Sequence, residues 1–377
     1  MARRRQYLER MKDVFFRNKS KYDVIVHDVD PPWRNVWRNQ AGSTLPEHPD
    51  WGEWGANWSE AAQLGDIVYA LTYLGNGIVL AGTGWNEGIV YRSVDGGLTW
   101  SSVGRLGDSY DILSLTYLGN GVVLAYTGEE LYRSADYGLT WGVVAGLPSS
   151  LGAFANLGNG GVVAGAYPAP GEIYRSADYG LTWVKVAELG AKVSVRSLQY
   201  LGGSGLFIGV DGAILAGTQN WAVGIKGEIY YSADNGNTWA NGEQFGGLTG
   251  WTEVKSLAYL GGGVVIAGTR TGGVNPDPGK IYRSADYGLT WGVVANAGDG
   301  GGVHSLVNLG FGIALAGLAW GAGGGVILRS VDGGLTWSSL GYFGDGILCL
   351  TYLGLGVVLA GGGDDPGKIF RSVHHHV

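Results

Sequence analysis

Cysteine is all but missing from this chain of 377 residues, which contains a single one, Cys349. One thiol excludes a disulfide framework and a cysteine-ligated metal scaffold. Charge is scarce as well. Only 15% of residues are Asp, Glu, Lys or Arg, without long blocks of like charge, and 45% are apolar, which excludes a disordered chain and a coiled coil. The formal net charge of −7 argues against a nucleic-acid partner. Long apolar runs are absent too. The longest are strand-sized, such as VVLA, and end at Gly, whereas a membrane helix needs roughly 18 apolar residues. The opening MARRRQYLERMKDVFF has a basic start with no apolar h-region behind it, so no secretory signal is expected, and a virion or the cytoplasm is the expected location. Glycine, by contrast, is plentiful at 71 residues, beside 21 Tyr and 15 Trp. Without a three-residue period, that mixture points to many short strands joined by tight turns.

Residues 1–50 differ in composition from the rest. They carry ten Lys or Arg and seven Asp or Glu, so a mildly basic arm precedes an acidic body. Tyr7, Leu8, Met11, Val14 and Phe15 recur at helical spacing, which predicts an amphipathic helix over about residues 3–18 with Arg3, Arg4, Arg10 and Arg17 on its other side. The arm reads either as a docking segment for other protein subunits or as a helix folded back on its own body. Pro31 and Pro32 end any strand at Val24–Val26, and Trp33 to Pro49 reads as irregular.

From about residue 57 the chain is one motif repeated. Six times it spells S-x-D-x-G-x-T-W, with the acid at Asp95, Asp136, Asp178, Asp234, Asp286 and Asp332 and the indole at Trp100, Trp141, Trp183, Trp239, Trp291 and Trp337. Each repeat also holds an S-L-x-Y-L-G-N-G-like segment, a V-V-L-A-G-T-like segment and an I-Y-R-S segment, which makes four strands. Short strands at this period fit propeller blades of four antiparallel strands. A last repeat runs from Asp345 to Ser372 and lacks its fourth strand, while Gly55 to Trp58 has the Gly and Trp of half a box. The expected fold is therefore all-β, a seven-bladed β-propeller over residues 51–377. Its last blade is closed by the N-terminal strand, Trp58 is the seventh equivalent Trp, and a helical or irregular extension precedes it. In that split box His374 stands at the Asp position, and His374 to His376 read as a metal-binding tract, a tag remnant or a frayed tail.

The boxes carry a resemblance. The sequence is similar to the Asp-box, or BNR-repeat, sialidase-like propeller proteins over residues 57–373. That family implies the fold; it spans sialidases, xyloglucan-cleaving hydrolases, photosystem II assembly factors and sortilin-like receptors, so it leaves the activity open. Within the box, Asp can accept backbone N–H bonds, Gly permits a positive φ and Trp covers the space between strands, which are structural roles. One carboxylate per copy is too few for calcium, and no metal or cofactor is expected.

In an up-and-down blade the 1–2 and 3–4 turns lie on one face and the 2–3 and 4–1 connections on the other. The first set is almost invariant between repeats and the second is not, so individual chemistry is expected on the variable face. Its loops bear Trp85, Tyr110, Tyr167, Trp221, Trp251, Arg270, Trp320 and Tyr342 as candidate binding residues, suited to stacking on glycans or anchoring a protein. Each aromatic can equally be the lid of its own loop.

No catalytic residue is marked. Sialidases of this family resemble one another in an arginine triad, a Tyr activated by Glu and an R-I-P motif; this chain has no R-I-P, and Arg92, Arg133, Arg175, Arg283, Arg329 and Arg371 occupy one repeat position as framework. Only Arg105, Arg196 and Arg270 are unique guanidinium groups in the body. A glycoside hydrolase needs two carboxylates across a cleft; Asp108, Asp111, Glu243, Glu253, Asp299, Asp345, Asp364 and Asp365 lie near the variable face without a marked pair. The favoured reading is a non-enzymatic structural or binding subunit of a larger, virion-type assembly, anchored through residues 1–50 and presenting the aromatic face to a glycan or protein. A glycoside hydrolase or sialidase-like enzyme and a photosystem-type assembly factor are the alternatives.

Overall fold

The computed structural model describes residues 53–372, apart from 109–110, 146, 148–150, 203–211, 221–225, 246–250, 273–277, 299–300, 320–323, 345 and 365. The expected helix over 3–18 and the His374–His376 tract therefore lie outside the described residues. Every regular element described is a β-strand. In chain order the strands form four-stranded antiparallel meanders over 67–105 (unit 1), 114–143 (unit 2), 151–188 (unit 3), 193–245 (unit 4), 251–296 (unit 5) and 302–342 (unit 6). Three further strands over 347–372 (unit 7) are completed by Trp58–Gln63, which pairs with Lys368–Ser372. Units 4 and 5 are joined into one eight-stranded sheet by pairing of Gln219 with Glu253.

Packing follows from side-chain size and polarity. Second strands such as Val122–Tyr126 and Ile313–Ala319 are buried throughout, whereas fourth strands such as Ser101–Arg105 and Val184–Glu188 are mostly exposed. The first strand of each unit contacts that of the next, and Ile347–Gly354 contacts Ile67–Gly75 to complete the cycle. Close approach between units depends on glycine in the second strand. A Cβ at Gly268 would overlap Val303 of the next unit, and one at Gly82 would overlap Ile112. Unit 2 departs from this rule, with buried Tyr126 at that position packed in one cluster with Leu151.

The boxes form one hydrogen-bonded turn, repeated. In each of the six, the Ser Oγ donates to the Asp carboxylate, and that carboxylate accepts from the Thr backbone N–H and hydroxyl; in the first box these are Ser93, Asp95 and Thr99. The Trp indole N–H donates to the box Gly carbonyl, as Trp100 does to Gly97 at 3.0 Å. These bonds favour the ionised acid. The Thr99 hydroxyl foremost holds Asp95 down at about 2, and in Asp136 and Asp178 the same bonds outweigh a burial effect of opposite sign, leaving both at about 2. The residue before the box Gly has positive φ even as Tyr137, Tyr179 and Tyr287.

Arginines stitch the units together. Arg92, Arg133 and Arg283 donate through Nε to the carbonyls of Tyr137, Tyr179 and Gly333 in the following unit's box. The cycle continues across the two ends of the described chain, from Arg329 to Trp54 and from Arg371 to Gly96. Unit 4 has Tyr231 where the others have Arg. In the split box Trp54 stands where Tyr137 does, against Gly356, and Trp58 donates to Gly55 at 2.8 Å.

Candidate functional site

The first strand of most units carries a β-bulge at one repeat position, four residues before the Tyr or Asn of the Y-L-G-like turn. The extra, unpaired residue is Tyr69, Gly152, Arg196, Lys255, His304 or Leu348 in units 1, 3, 4, 5, 6 and 7. A bulge breaks the alternation of the strand and re-aims one side chain. Three consecutive units, 4 to 6, thereby place Arg196, Lys255 and His304 at equivalent points around the cycle.

Arg196 and Arg270 meet a single buried carboxylate, Glu253, and Lys255 feels its charge. Glu253 is fully buried, and the Arg196 Nε–Glu253 Oε2 distance is 2.6 Å, with Arg270 Nη1 at 3.5 Å from Oε1. The guanidinium of Arg196 lies over the Tyr167 ring at 4.1 Å, and that of Arg270 is 5.3 Å from the Trp251 ring centre. Cation–π contact on one side and an ion pair on the other fix both guanidinium planes. Lys255 is half-buried; burial lowers its pKa and Glu253 opposes that, while Arg196 and Arg270 add to it. Burial first, then Lys255, Arg270 and Arg196, hold His304 well below the usual imidazole range, so it is neutral at pH 7. Glu253, Arg270 and Trp251 lie beside the 4–1 and 2–3 connections of unit 5, which puts the cluster at the variable face.

The other candidates are placed as follows. Trp85 is 68% exposed with φ of 106°, and its backbone N–H is held by Asp111 Oδ1 at 2.7 Å. The same loop is pinned by Asp66, whose carboxylate accepts from the N–H groups of Ile67, Asn86 and Glu87. A bulky residue at positive φ costs on the order of 1–3 kcal/mol, so these two acids hold a strained, projecting indole. Tyr342 is 65% exposed and donates to the Gly344 carbonyl. Tyr167 and Trp251 are half-buried behind the arginines. Tyr110, Trp221 and Trp320 lie outside the described residues. Asp66, Lys255 and His304 are additions that the sequence reading did not single out.

Of the unique guanidinium groups, Arg196 and Arg270 converge on Glu253, while Arg105 donates to the Asp108 carbonyl on the outermost strand of unit 1. Tyrosines do meet glutamates in the third strands, Tyr132 with Glu130 and Tyr174 with Glu172. Burial foremost, then the Glu130 bond, push Tyr132 up to about 12, the opposite of an activated phenolate. Among the described residues no group of three or more His, Cys, Asp or Glu is placed to hold a metal ion, and no helix is long and apolar enough to cross a membrane.

No protein-family model matches the chain, and no curated protein does. Solved structures match it in fold. A YCF48 structure described as bound to D1 peptide superposes with a TM-score of 0.63 at 18% identity, over 85% of this chain and 97% of that one. YCF48 from Cyanidioschyzon merolae gives 0.61 at 14%, over 84% and 99%. A xyloglucanase from Xanthomonas campestris gives 0.60 at 17%, over 81% of this chain and 52% of that one, so this chain spans about half of the enzyme. At such identities the likeness is one of propeller-type fold.

Proposed function

We propose that the units are the seven blades of one closed Asp-box propeller, and that this disc is a non-enzymatic binding module taking a protein partner on its variable face. In its full form the reading makes residues 1–50 a docking arm, with the stripe of Tyr7, Leu8, Met11, Val14 and Phe15 attaching the chain to a larger, virion-type assembly. The closed cycle of first-strand contacts, together with the completion of the last sheet by Trp58–Gln63, supports the blade count. The observation that carries the binding reading is the contrast between faces. One face repeats a single turn in every complete box, while the other varies at each bulge and gathers Arg196, Arg270 and Lys255 around Glu253. A rigid scaffold with one individual face is how repeat folds present partners.

The hydrolase alternative has less behind it. Asp66, Asp111 and Glu253 on the variable face are each committed to N–H groups or guanidinium ions. The YCF48 structure described as holding a peptide lends a precedent for peptide binding on this fold.

The test is a random peptide library panned on the full chain, with enriched peptides measured against two pairs of variants. Trp85→Ala and Tyr342→Ala alter the variable face; Leu139→Ser and Leu181→Ser alter exposed box residues. Loss of affinity confined to the first pair is expected. Loss confined to the second pair, or no enrichment at all, would refute the reading. The arm is tested apart, by light scattering of the full chain against one starting at Ser43: self-association that disappears on truncation is expected, and equal behaviour of the two removes the arm's role.

A further inference from the structure

We propose that the box face around Trp54 is a seat for the arm of a second copy of this chain, with the apolar stripe of that arm packing on Phe311 and Leu355; the inference rests on the arm's docking role proposed above. The 1–2 turns share one conformation, in which the fourth residue of the Y-L-G-N-G-like segment has a positive φ. Asn76, Asn120 and Asn159 fill that position in units 1 to 3 and Gly262 in unit 5, residue types that tolerate it. Units 6 and 7 hold Phe311 there at φ of 53° and Leu355 at 51°. Large apolar side chains are rare at such a position and strain the turn. Packing within the disc does not account for Leu355, which is 83% exposed, and Phe311 is also exposed at 39%.

These two turns flank the point at which the arm joins the disc. Trp54 meets Phe311 edge-on at 5.7 Å between ring centres, and a Cβ at Gly356, next to Leu355, would overlap the Trp54 ring. Exposed box residues continue the strip on both sides: Val331 and Leu335 of unit 6, whose Arg329 holds the Trp54 carbonyl, and Val94 and Leu98 of unit 1, whose Gly96 carbonyl is held by Arg371. Elsewhere on this face Leu139 and Leu181 stand in units whose turns carry Asn. An apolar strip across units 6, 7 and 1 marks an interaction site. The chain itself supplies the complement. Residues 1–50 join the disc at the middle of this strip, bear an apolar stripe at helical spacing, and have ten Lys or Arg against seven Asp or Glu to meet the exposed carboxylates Asp95 and Asp332. Four of the ten Pro of the chain, Pro31, Pro32, Pro46 and Pro49, lie between the stripe and Trp54, with Gly42 and Gly52 the only glycines there. A spacer rich in Pro and poor in Gly favours extended chain, which carries the stripe away from its own disc and toward a neighbour. In a two-fold pair each arm then covers the other's strip.

Light scattering coupled to size exclusion, over a range of concentrations, is run on three forms of the full chain: unaltered, Phe311→Asn with Leu355→Asn, and Met11→Ser with Phe15→Ser. The unaltered chain should self-associate, and each double variant should lose roughly tenfold or more in affinity. Mixing the two variants should restore association, since one keeps the arm and the other keeps the seat. Asn is the residue that units 1 to 3 carry at this turn, so the seat variant should fold, with an unchanged urea midpoint as the check; Leu355→Asn alone replaces it if that midpoint drops. Association of the seat variant as strong as that of the unaltered chain overturns the seat. A mixture that fails to associate overturns it as well, because the arm is then confined to its own disc. In either case, association that is lost on truncation to Ser43 leaves the arm's docking role standing, whereas an unaltered chain that stays monomeric sinks both.

Discussion

Arg329 and Trp54 meet across 275 positions of sequence: the arginine Nε donates to the tryptophan carbonyl at 2.8 Å. The bond has the same form as the one from Arg133 to Tyr179, so the segment at Trp54 takes the place that a box holds in the other units. Trp54 is buried beside Phe311, at 5.7 Å between ring centres, and beside Tyr352. Trp54→Ala removes the ring and loosens that junction, with an expected loss of about 3–5 kcal/mol for a buried large aromatic. Urea unfolding followed by intrinsic fluorescence checks it, and a loss below about 1 kcal/mol would show that the junction is held elsewhere.

The box carboxylates make an acid-sensitive set. Asp95, Asp136 and Asp178 sit at about 2, below the ordinary 3.8, so each adds stability above pH 4 that is lost as pH falls through about 2. Stability measured at pH 6, 4, 3 and 2 should therefore be level down to about 4 and then fall. Asp178→Asn should lower stability at pH 6 and flatten the fall.

Glu253→Gln leaves Arg196, Arg270 and Lys255 without their common anion. Breaking a buried ion pair by removing one partner costs about 3–5 kcal/mol, and the urea midpoint should drop accordingly. Arg196→Met added to Glu253→Gln should recover part of it, because the surviving uncompensated charge is smaller.

Gly268→Ala forces a methyl group into Val303 of the next unit and beside Ser256. Overpacking of this kind costs about 1–3 kcal/mol. The pair Gly268→Ala with Val303→Ala should cost less than the two single changes together, measured as a double-mutant cycle.

The sole thiol reports on opening. Burial pushes Cys349 up to about 12, and its Sγ faces the Val68 carbonyl at 3.4 Å. Labelling by iodoacetamide at pH 8 should be slow in the native protein and should speed up along the unfolding curve; fast native labelling would place Cys349 at a mobile seam.

Much of the architecture can be read from the repeat, because a box of fixed chemistry recurs and the turn it makes depends only on nearby residues. Ser93, Asp95, Thr99 and Trp100 bond among themselves and within their own turn. Trp58 was legible as a displaced box tryptophan for the same reason. The cluster was harder to see. Arg196, Lys255 and His304 are separated by whole repeats, and Glu253 lies two residues before Lys255 on a strand whose ordinary alternation hides the bulge. A signal was present nonetheless: aligned on the Y-L-G turn, the fourth preceding position reads Tyr69, Leu113, Gly152, Arg196, Lys255, His304 and Leu348, a variable column inside an otherwise repetitive strand. Variation inside a repeat, at a place that packing leaves free, was the mark to follow. The loop aromatics drew attention by type, yet Tyr167 and Trp251 lie behind guanidinium groups, a relation that spacing alone does not encode.

Among the described residues, strand Trp58–Gln63 pairs with Lys368–Ser372 alone. During synthesis, then, this segment emerges before its partner strand and must wait for it until Lys368–Ser372 follows. Units 1 to 6 pair as local meanders, whereas this pairing closes a loop that spans all of them, at the entropy cost of so long a loop. A stalled or shortened nascent chain would therefore expose two sheet edges at once, one on each side of the gap, ready to pair with another copy.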